Sequence, residues 1–523
     1  MSWTGHLPVF LFLLIIFSAL YRVARHLTGG NKDAGFWAAI PSVGVPTGGI
    51  LPWTRAALNA ITGMSRCAQI GYDRYCRSNA IFALPSPGAG AVVAIPPSLL
   101  NLLNRSESQI RAFDCQIENI QPQYMIGDRK LYENILHFEV VRQHMTKDVG
   151  HFAASSLEEL DVAFRDVWGA EEGVWKEVNA WDTLARIIAR ASNRAFIGLP
   201  LCRNEELLEQ TRLYANAVYI GSTLITALPI SVRPIFGHII AIPAKRSLAK
   251  CQEILVPFVE ERVRLWRSAD KTHKQPNDAV QWMIERCAKC DEYEMQPARI
   301  AQRLLILNLV SIFTTAYAFT NVVLDLYGSD QKEDYISGLR AECDHVARTH
   351  GGLSTKAAVD EMYRLDSTVR ESLRVSAFGI VTLQRIVGDA GLDLGQGVQI
   401  PAGVRIGIPS QAIHHDSTYH ENAHSFDAFR FSRPFEGPDG RRRQAGEQKL
   451  SVHVDEAFLT YGFGKHACPG RWFASQLMKQ AIAYMLTNYD VECVGQRPEK
   501  KAVLNMILPP VQARIRIRRR VKR

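Results

Sequence analysis

The segment Tyr461-Gly-Phe-Gly-Lys-His-Ala-Cys-Pro-Gly470 gathers, within ten residues, what a metal-binding thiolate needs. A helical pattern starts directly after it, with Phe473, Leu477, Ala481 and Met485 four apart on one face. That places Cys468 at a helix N-terminus, where free N–H groups and the helix dipole favour the thiolate. Gly462, Gly464 and Gly470 remove side chains where backbone must turn sharply or pass close to a flat ligand. His466 can offer a proton or a charge to an anionic group beside the loop. The plain alternative is a core cysteine next to a glycine turn. It accounts for Cys468 but not for the whole constellation.

Further along the sequence stand the elements that must hold such a loop. Glu371-Ser-Leu-Arg374 has i,i+3 spacing, so both side chains share one helix face, while Met362, Leu365, Val369 and Leu373 form a buried stripe. Taken alone, this is also a common surface pair. Pro297 suits a first helical position and Gly328 a stop, giving a helix of roughly 45 Å at 1.5 Å per residue. Residues 304–324 of it carry no charge. Asn308, Ser311, Thr314, Thr315, Thr320 and Asn321 interrupt the apolar run, which favours a helix through the middle of a domain over a membrane span. Helical patterns also cover 175–197, 212–219, 251–267, 362–373 and 471–486, with strand-like pieces at 91–95, 380–386 and 404–408. The expected class is mainly α with small β-sheets (α+β), in one large domain.

The Cys468 segment resembles the haem-binding loop of the cytochrome P450 family, Phe-x-x-Gly-x-[Arg/His]-x-Cys-x-Gly, with Tyr461 in place of the first aromatic. Glu371 and Arg374 match the family's Glu-x-x-Arg motif. Phe426-Asp-Ala-Phe-Arg-Phe431 stands where the family has Pro-Glu-Arg-Phe, keeping Arg430 but not the Pro and Glu. Ser311-Ile-Phe-Thr-Thr315 corresponds to the [Ala/Gly]-Gly-x-[Asp/Glu]-Thr motif, so Thr314 matches the threonine and Phe313 replaces the acid. The resemblance implies a P450 fold and haem b with Cys468 as axial ligand to the iron. Further cofactor contacts would come from His466, Phe463, Gly464 and Arg142, although Arg142 reads equally as a solvated helix arginine. It implies a structural triad of Glu371, Arg374 and Arg430, and a proton-relaying Thr314 whose usual acidic neighbour is missing. Asn308, Ser311, Ala377 and Phe378 are the corresponding candidates for the substrate pocket. Stretches such as Val140-Val-Arg-Gln-His-Met-Thr146 and Pro276-Asn-Asp-Ala-Val-Gln-Trp282 look similar to fungal ent-kaurene oxidase-like members.

Composition narrows the setting. The 523 residues carry a net charge of +9, but the run Arg514-Ile-Arg-Ile-Arg-Arg-Arg-Val-Lys-Arg523 holds seven of the basic groups and no acid. The rest is near neutral, which argues against nucleic-acid binding. The run itself is expected to be a basic tail, either touching an anionic membrane or solvated and partly disordered. Ten scattered cysteines form no disulfide framework, which suits a reducing compartment, and Cys287-Ala-Lys-Cys290 lacks a second ligand pair for zinc. Residues 1–21 contain no Lys, Arg, Asp or Glu, and Arg22, Arg25 and Lys32 follow them. That order favours an uncleaved anchor with the body on the cytosolic side, against a signal peptide. The expected division is therefore an anchor at 1–25, a proline-containing linker at 26–49, a haem-binding domain at 50–513 and the basic tail at 514–523.

The function implied is a membrane-anchored monooxygenase of the endoplasmic reticulum, taking electrons from a separate NADPH-dependent reductase and oxidising an apolar small molecule with dioxygen. A terpenoid or similar fungal secondary metabolite is the substrate class suggested. Residues 213–244, whose only charge is Arg233, read either as a lipid-facing lid or as ordinary core helix. Two other functions share the cysteine: a haem-thiolate isomerase or dehydratase that needs no oxygen activation, and a non-enzymatic haem-binding protein.

Overall fold

The computed structural model describes residues 34–48, 50–87, 90–147, 149–268, 275–395, 397–437 and 448–521. The expected anchor at 1–25, and the first part of the linker, lie outside the described residues. The helices that build the site are α1 (Pro52–Arg74), α2 (Ala153–Trp168), α3 (Ala180–Phe196), α4 (Glu205–Ala227), α5 (Arg233–Ile240), α6 (Ile242–Arg267), α7 (Pro297–Tyr327), α8 (Lys332–His350), α9 (Tyr363–Val375) and α10 (Arg471–Asn488). Their sequence-read counterparts agree at α4, α6, α7, α9 and α10.

Helix α7 is the axis of the domain, packed against α3, α4, α6 and α9. Among the described residues it is the helix long and apolar enough to cross a membrane, but 83% of its most apolar window is buried inside the protein. Its charged first turns are satisfied internally. Arg303, fully buried, donates to Glu294 at 2.7 Å and to the Asn134 carbonyl at 2.6 Å. A helix with its arginines held this way is a core element.

The strands of the two larger sheets are β1 (Phe82–Ser86), β2 (Gly90–Ala94), β3 (Ile110–Arg111), β4 (Trp175–Asn179), β5 (Thr382–Val387), β6 (Arg405–Ile408), β7 (Tyr489–Cys493) and β8 (Arg514–Arg519). One sheet runs β1-β2-β6-β5-β3, with β2 and β6 parallel and Val93 opposite Ile406. The proline-containing connector is pinned to its edge: Val43 N–H donates to Ala83 O at 3.0 Å and Ala83 N–H to Pro41 O at 2.8 Å.

The second sheet, β4-β8-β7, corrects two expectations. Residues 175–179 are not the start of a helix but strand β4, and Asn179 then caps α3 by accepting from Asp182 N–H at 2.9 Å. The basic run is not a loose end. Arg514–Arg519 is the central strand of the sheet, pairing with β4 on one side and β7 on the other. Its period of two explains why: Ile515 and Ile517 turn into the core while Arg514, Arg516 and Arg518 turn outward to Glu177, Glu492 and Asp490. The density of arginine hides a half-buried strand.

A single glycine holds the edge of the first sheet. Gly388, just past β5, donates its N–H to Gln109 O at 2.7 Å, and a Cβ there would sit 2.0 Å from the Ser108 carbonyl oxygen. Backbone cannot yield as a flexible side chain would. Gly388→Ala is therefore expected to cost about 2 kcal/mol, read as a lower urea midpoint with an unchanged slope.

Candidate functional site: a cysteine loop clamped to a buried ionic triad

The 461–470 loop is folded by its own backbone. Cys468 N–H donates to Tyr461 O at 2.7 Å, Ala467 N–H to Gly464 O at 3.1 Å and Gly462 N–H to Leu459 O at 2.9 Å. Gly462 and Gly464 adopt φ of 86° and 60°, in the left-handed region. At Gly464 a Cβ would collide with Asn104 Oδ1 at 2.0 Å, so the loop lies flush on that neighbour. Helix α10 starts immediately after Gly470. Cys468 is exposed, yet the protein around it pushes its thiol up. The Gly470 and Arg471 amides and the Arg471 charge pull its pKa down, as the helix-terminus argument requires, but burial outweighs them.

Beside the thiol lies a group of cations. Burial first, then Arg385, Lys465 and Arg142, hold the His466 imidazole below its usual value, against an opposing pull from Glu107 at 3.5 Å. Arg385 is buried and its Nε has no hydrogen-bond partner. The sequence reading missed it, though its signal is an arginine inside the apolar strand β5. An exposed sulfur, a glycine-rich loop and a buried arginine whose Nη1 donates to Gln384 O at 2.9 Å while its Nε is unpartnered fit a flat, metal-bearing ligand with carboxylate arms, which is the chemistry of haem.

The triad residues meet. Glu371 accepts from Arg374 Nε at 2.8 Å and Nη2 at 2.7 Å, and from Arg430 Nε at 3.0 Å. Glu371 and Arg374 are fully buried. Arg374 also donates to the His414 carbonyl at 2.6 Å and the Ala423 carbonyl at 2.5 Å. His414 passes the connection on, since its Nε2 accepts from Leu459 N–H at 2.9 Å. Thr460 Oγ1 donates to the Leu373 carbonyl at 3.0 Å. From α9 to residues 414–430 and on to 459–460, a continuous set of bonds ends one residue before the cysteine loop. His414 was absent from the sequence reading, because only the fold makes it an acceptor.

On the other side, Thr314 is exposed although it lies on the buried helix α7, and its hydroxyl donates back to Val310 O at 2.9 Å. Ser311, one turn earlier, is half-buried. Phe313 stacks on Tyr219 of α4 with centroids 4.4 Å apart, and Phe378 meets Phe313, Tyr219 and Tyr317 edge-on at 6.0, 6.3 and 5.1 Å. Trp181 of α3 closes the group against Phe313. The Tyr219 hydroxyl is raised by burial and by the Cys468 charge, which ties this aromatic cluster to the thiol. Ala377 is buried. Asn308 is wholly enclosed, with neither amide atom hydrogen-bonded, and so does not share the exposure of Thr314. Tyr219 and Trp181 join this aromatic cluster although the sequence did not single them out.

The Cytochrome P450 family profile matches residues 177–516. The chain is 32% identical to "Cytochrome P450 monooxygenase gloP" of Glarea lozoyensis, over 99% of this chain and 96% of that protein. It is 34% identical to "Cytochrome P450 monooxygenase htyF" of Aspergillus rugulosus, over 93% of this chain and 73% of that one. For "Cytochrome P450 monooxygenase okaG" of Penicillium ochrochloron the identity is 29%, over 89% and 91%.

Two outcomes follow from the clamp. Glu371→Ala leaves Arg374 in the dry interior without its carboxylate, with the half-buried Arg430 beside it, and is expected to cost about 3 to 5 kcal/mol, with loss of soluble, cofactor-loaded protein. Burial holds His414 well below 6.5 and His415 and His420 at about 4. On acidification the unfolded chain therefore takes up these protons first. Stability is full above pH 6.5 and falls as pH drops toward 4, by up to about 1.4 kcal/mol per pH unit for each group. Denaturant midpoints across that range should show the slope, and His414→Gln should reduce it.

Proposed function

The chain belongs to the cytochrome P450 family and is a cytochrome P450 monooxygenase, and from this premise we propose that it oxidises a bulky apolar molecule of terpenoid type beside a membrane. Family membership implies a haem-thiolate cofactor, dioxygen and a redox partner. The observation that carries the substrate reading is the aromatic group of Phe313, Tyr219 and Phe378 around the exposed Thr314, on the helix that runs through the core. A cavity with such walls selects by shape and apolar contact, with few polar anchors. The narrower likeness to ent-kaurene oxidase-like members points the same way.

When bound, the haem supplies dioxygen cleavage and oxygen transfer, with electron density fed from the thiolate. Cys468 would hold the iron, and its coordination removes the thiol proton that burial otherwise retains. His466, Arg142 and Arg385 would hold the carboxylate arms, with Phe463 and Gly464 lining the loop. Thr314 Oγ1 now donates its hydrogen bond to the Val310 carbonyl. By rotating about χ1 it can turn its proton to the exposed side of the residue, while Phe313 holds none. Proton delivery thus rests on the Thr314 hydroxyl and water, without a neighbouring carboxylate. The Phe313–Tyr219 stack restricts where that water enters.

Outward isoleucines support the membrane setting. Ile220 on α4, Ile230, Ile235 and Ile239 along α5 and its approach, and Ile242 at the start of α6 are all exposed, Ile235 at 66%. A run of this kind costs solubility unless lipid covers it. With an anchor at 1–25, it supports a monotopic domain lying on the cytosolic face of the endoplasmic reticulum and served there by an NADPH-dependent reductase. The catalytic domain is best taken from residue 50 through β8 rather than ending at 513.

Reconstitution with NADPH and a P450 reductase, under ¹⁸O₂ and with a panel of diterpenes and sesquiterpenes, tests this reading. The expected result is a product carrying one ¹⁸O atom. Thr314→Val should lower its yield by about tenfold or more while haem content stays unchanged. Turnover confined to small polar substrates, or label arriving only from water, would contradict it.

A further inference from the structure

The second half of α4 is apolar apart from its hydroxyls, and most of these turn back to the backbone. Ser222 and Thr223 donate to the Tyr219 carbonyl at 3.3 and 2.7 Å, and Thr226 donates to Glu118 O at 2.8 Å. The phenol of Tyr219 behaves differently. Among the described residues its oxygen has no hydrogen-bond partner, although a tyrosine in such surroundings ordinarily finds one. It is also within reach of a ligand. The hydroxyls of Tyr214, Tyr317 and Tyr327 are closed off without partners, whereas Tyr219 is half-buried and its oxygen stays open.

The ring that carries this hydroxyl is held in place before any ligand arrives. It stacks on Phe313 with centroids 4.4 Å apart and planes at 26°, and it meets Phe378 edge-on at 6.3 Å. Phe313 immediately precedes the exposed Thr314 on α7, so the free phenol belongs to the wall beside that hydroxyl. Burial first, then the Cys468 charge, push its ionisation up, so the oxygen keeps its proton and can donate it in a hydrogen bond. Phe313, Phe378 and Trp181 bring no cation to the group, so the matching ligand atom is a neutral alcohol or carbonyl oxygen rather than a carboxylate. Resting on the terpenoid-type reading above, we propose that Tyr219 is a specificity-determining residue whose hydroxyl hydrogen-bonds an oxygen already present on the substrate. The substrate is then an apolar skeleton that bears an alcohol or ketone before this enzyme acts on it. Apolar walls tell skeletons apart only weakly, and a fixed donor adds the orientation they lack.

The test uses full-length, haem-loaded protein and equilibrium dialysis against matched pairs, each a sesquiterpene or diterpene hydrocarbon and its alcohol or ketone. Tyr219→Phe keeps the stacked ring. It should bind the hydrocarbons as the parent protein does and the best-held oxygenated member about 10-fold more weakly. Tyr219→Leu drops ring and hydroxyl together, and should weaken that oxygenated member by more than its hydrocarbon. The carbon monoxide spectrum reports that each variant is folded, and if one of the two fails there, the other decides. Oxygenated members held as tightly by Tyr219→Phe as by the parent, or hydrocarbon and oxygenated member weakened equally by Tyr219→Leu, overturn the proposal and leave the terpenoid reading standing. Binding of no terpenoid by the parent protein overturns that reading and this proposal with it.

Discussion

One fully buried carboxylate, Glu371, is shared by the guanidinium groups of the fully buried Arg374 and the half-buried Arg430, and the cysteine loop hangs from that arrangement. Arg374 could not stay buried without it. The same Arg374 that grips Glu371 also holds the 414 and 423 carbonyls, so the electrostatic requirement fixes the path of a long irregular segment. His414 then carries that fixed path to Leu459 through a neutral imidazole. Disorder of a segment this long would be the default, and a few charge-assisted bonds are what give it one conformation.

The same economy governs the thiol. A cysteine at a helix N-terminus in an apolar surround is pulled both ways, and here burial outweighs the helix dipole. The loop thus positions a sulfur whose ionised form becomes stable only when a cation shares its site. On α7, Phe313 exchanges a titratable side chain for an aromatic one and recruits Tyr219 and Phe378 around it. The departure from the family motif is thereby part of a packed aromatic wall, which shapes the cavity as it limits the route of protons.

What could be read before folding follows from how local each signal is. Cys468, its glycines and the Glu371–Arg374 pair are set by short-range spacing, and the long helix by its caps and apolar run. Arg430 was legible only through the family motif. Arg385, His414 and Tyr219 were not, since each acquires its part from a neighbour 45 or more residues away in sequence. The basic C-terminal strand was misread for the opposite reason: charge masked the alternation of Ile515 and Ile517, which only pairing with β4 and β7 brings out. Asn308, a pocket candidate by its place near Ser311, is fully buried with neither amide atom hydrogen-bonded.

The central claim is that Cys468 supplies the sulfur ligand of a bound haem, and the carbon monoxide difference spectrum of the reduced protein tests it most directly. The account predicts the red-shifted Soret band that a thiolate ligand gives ferrous haem, absent from a Cys468→Ser variant. A protein without haem, or one whose spectrum is the same with serine at 468, would contradict it.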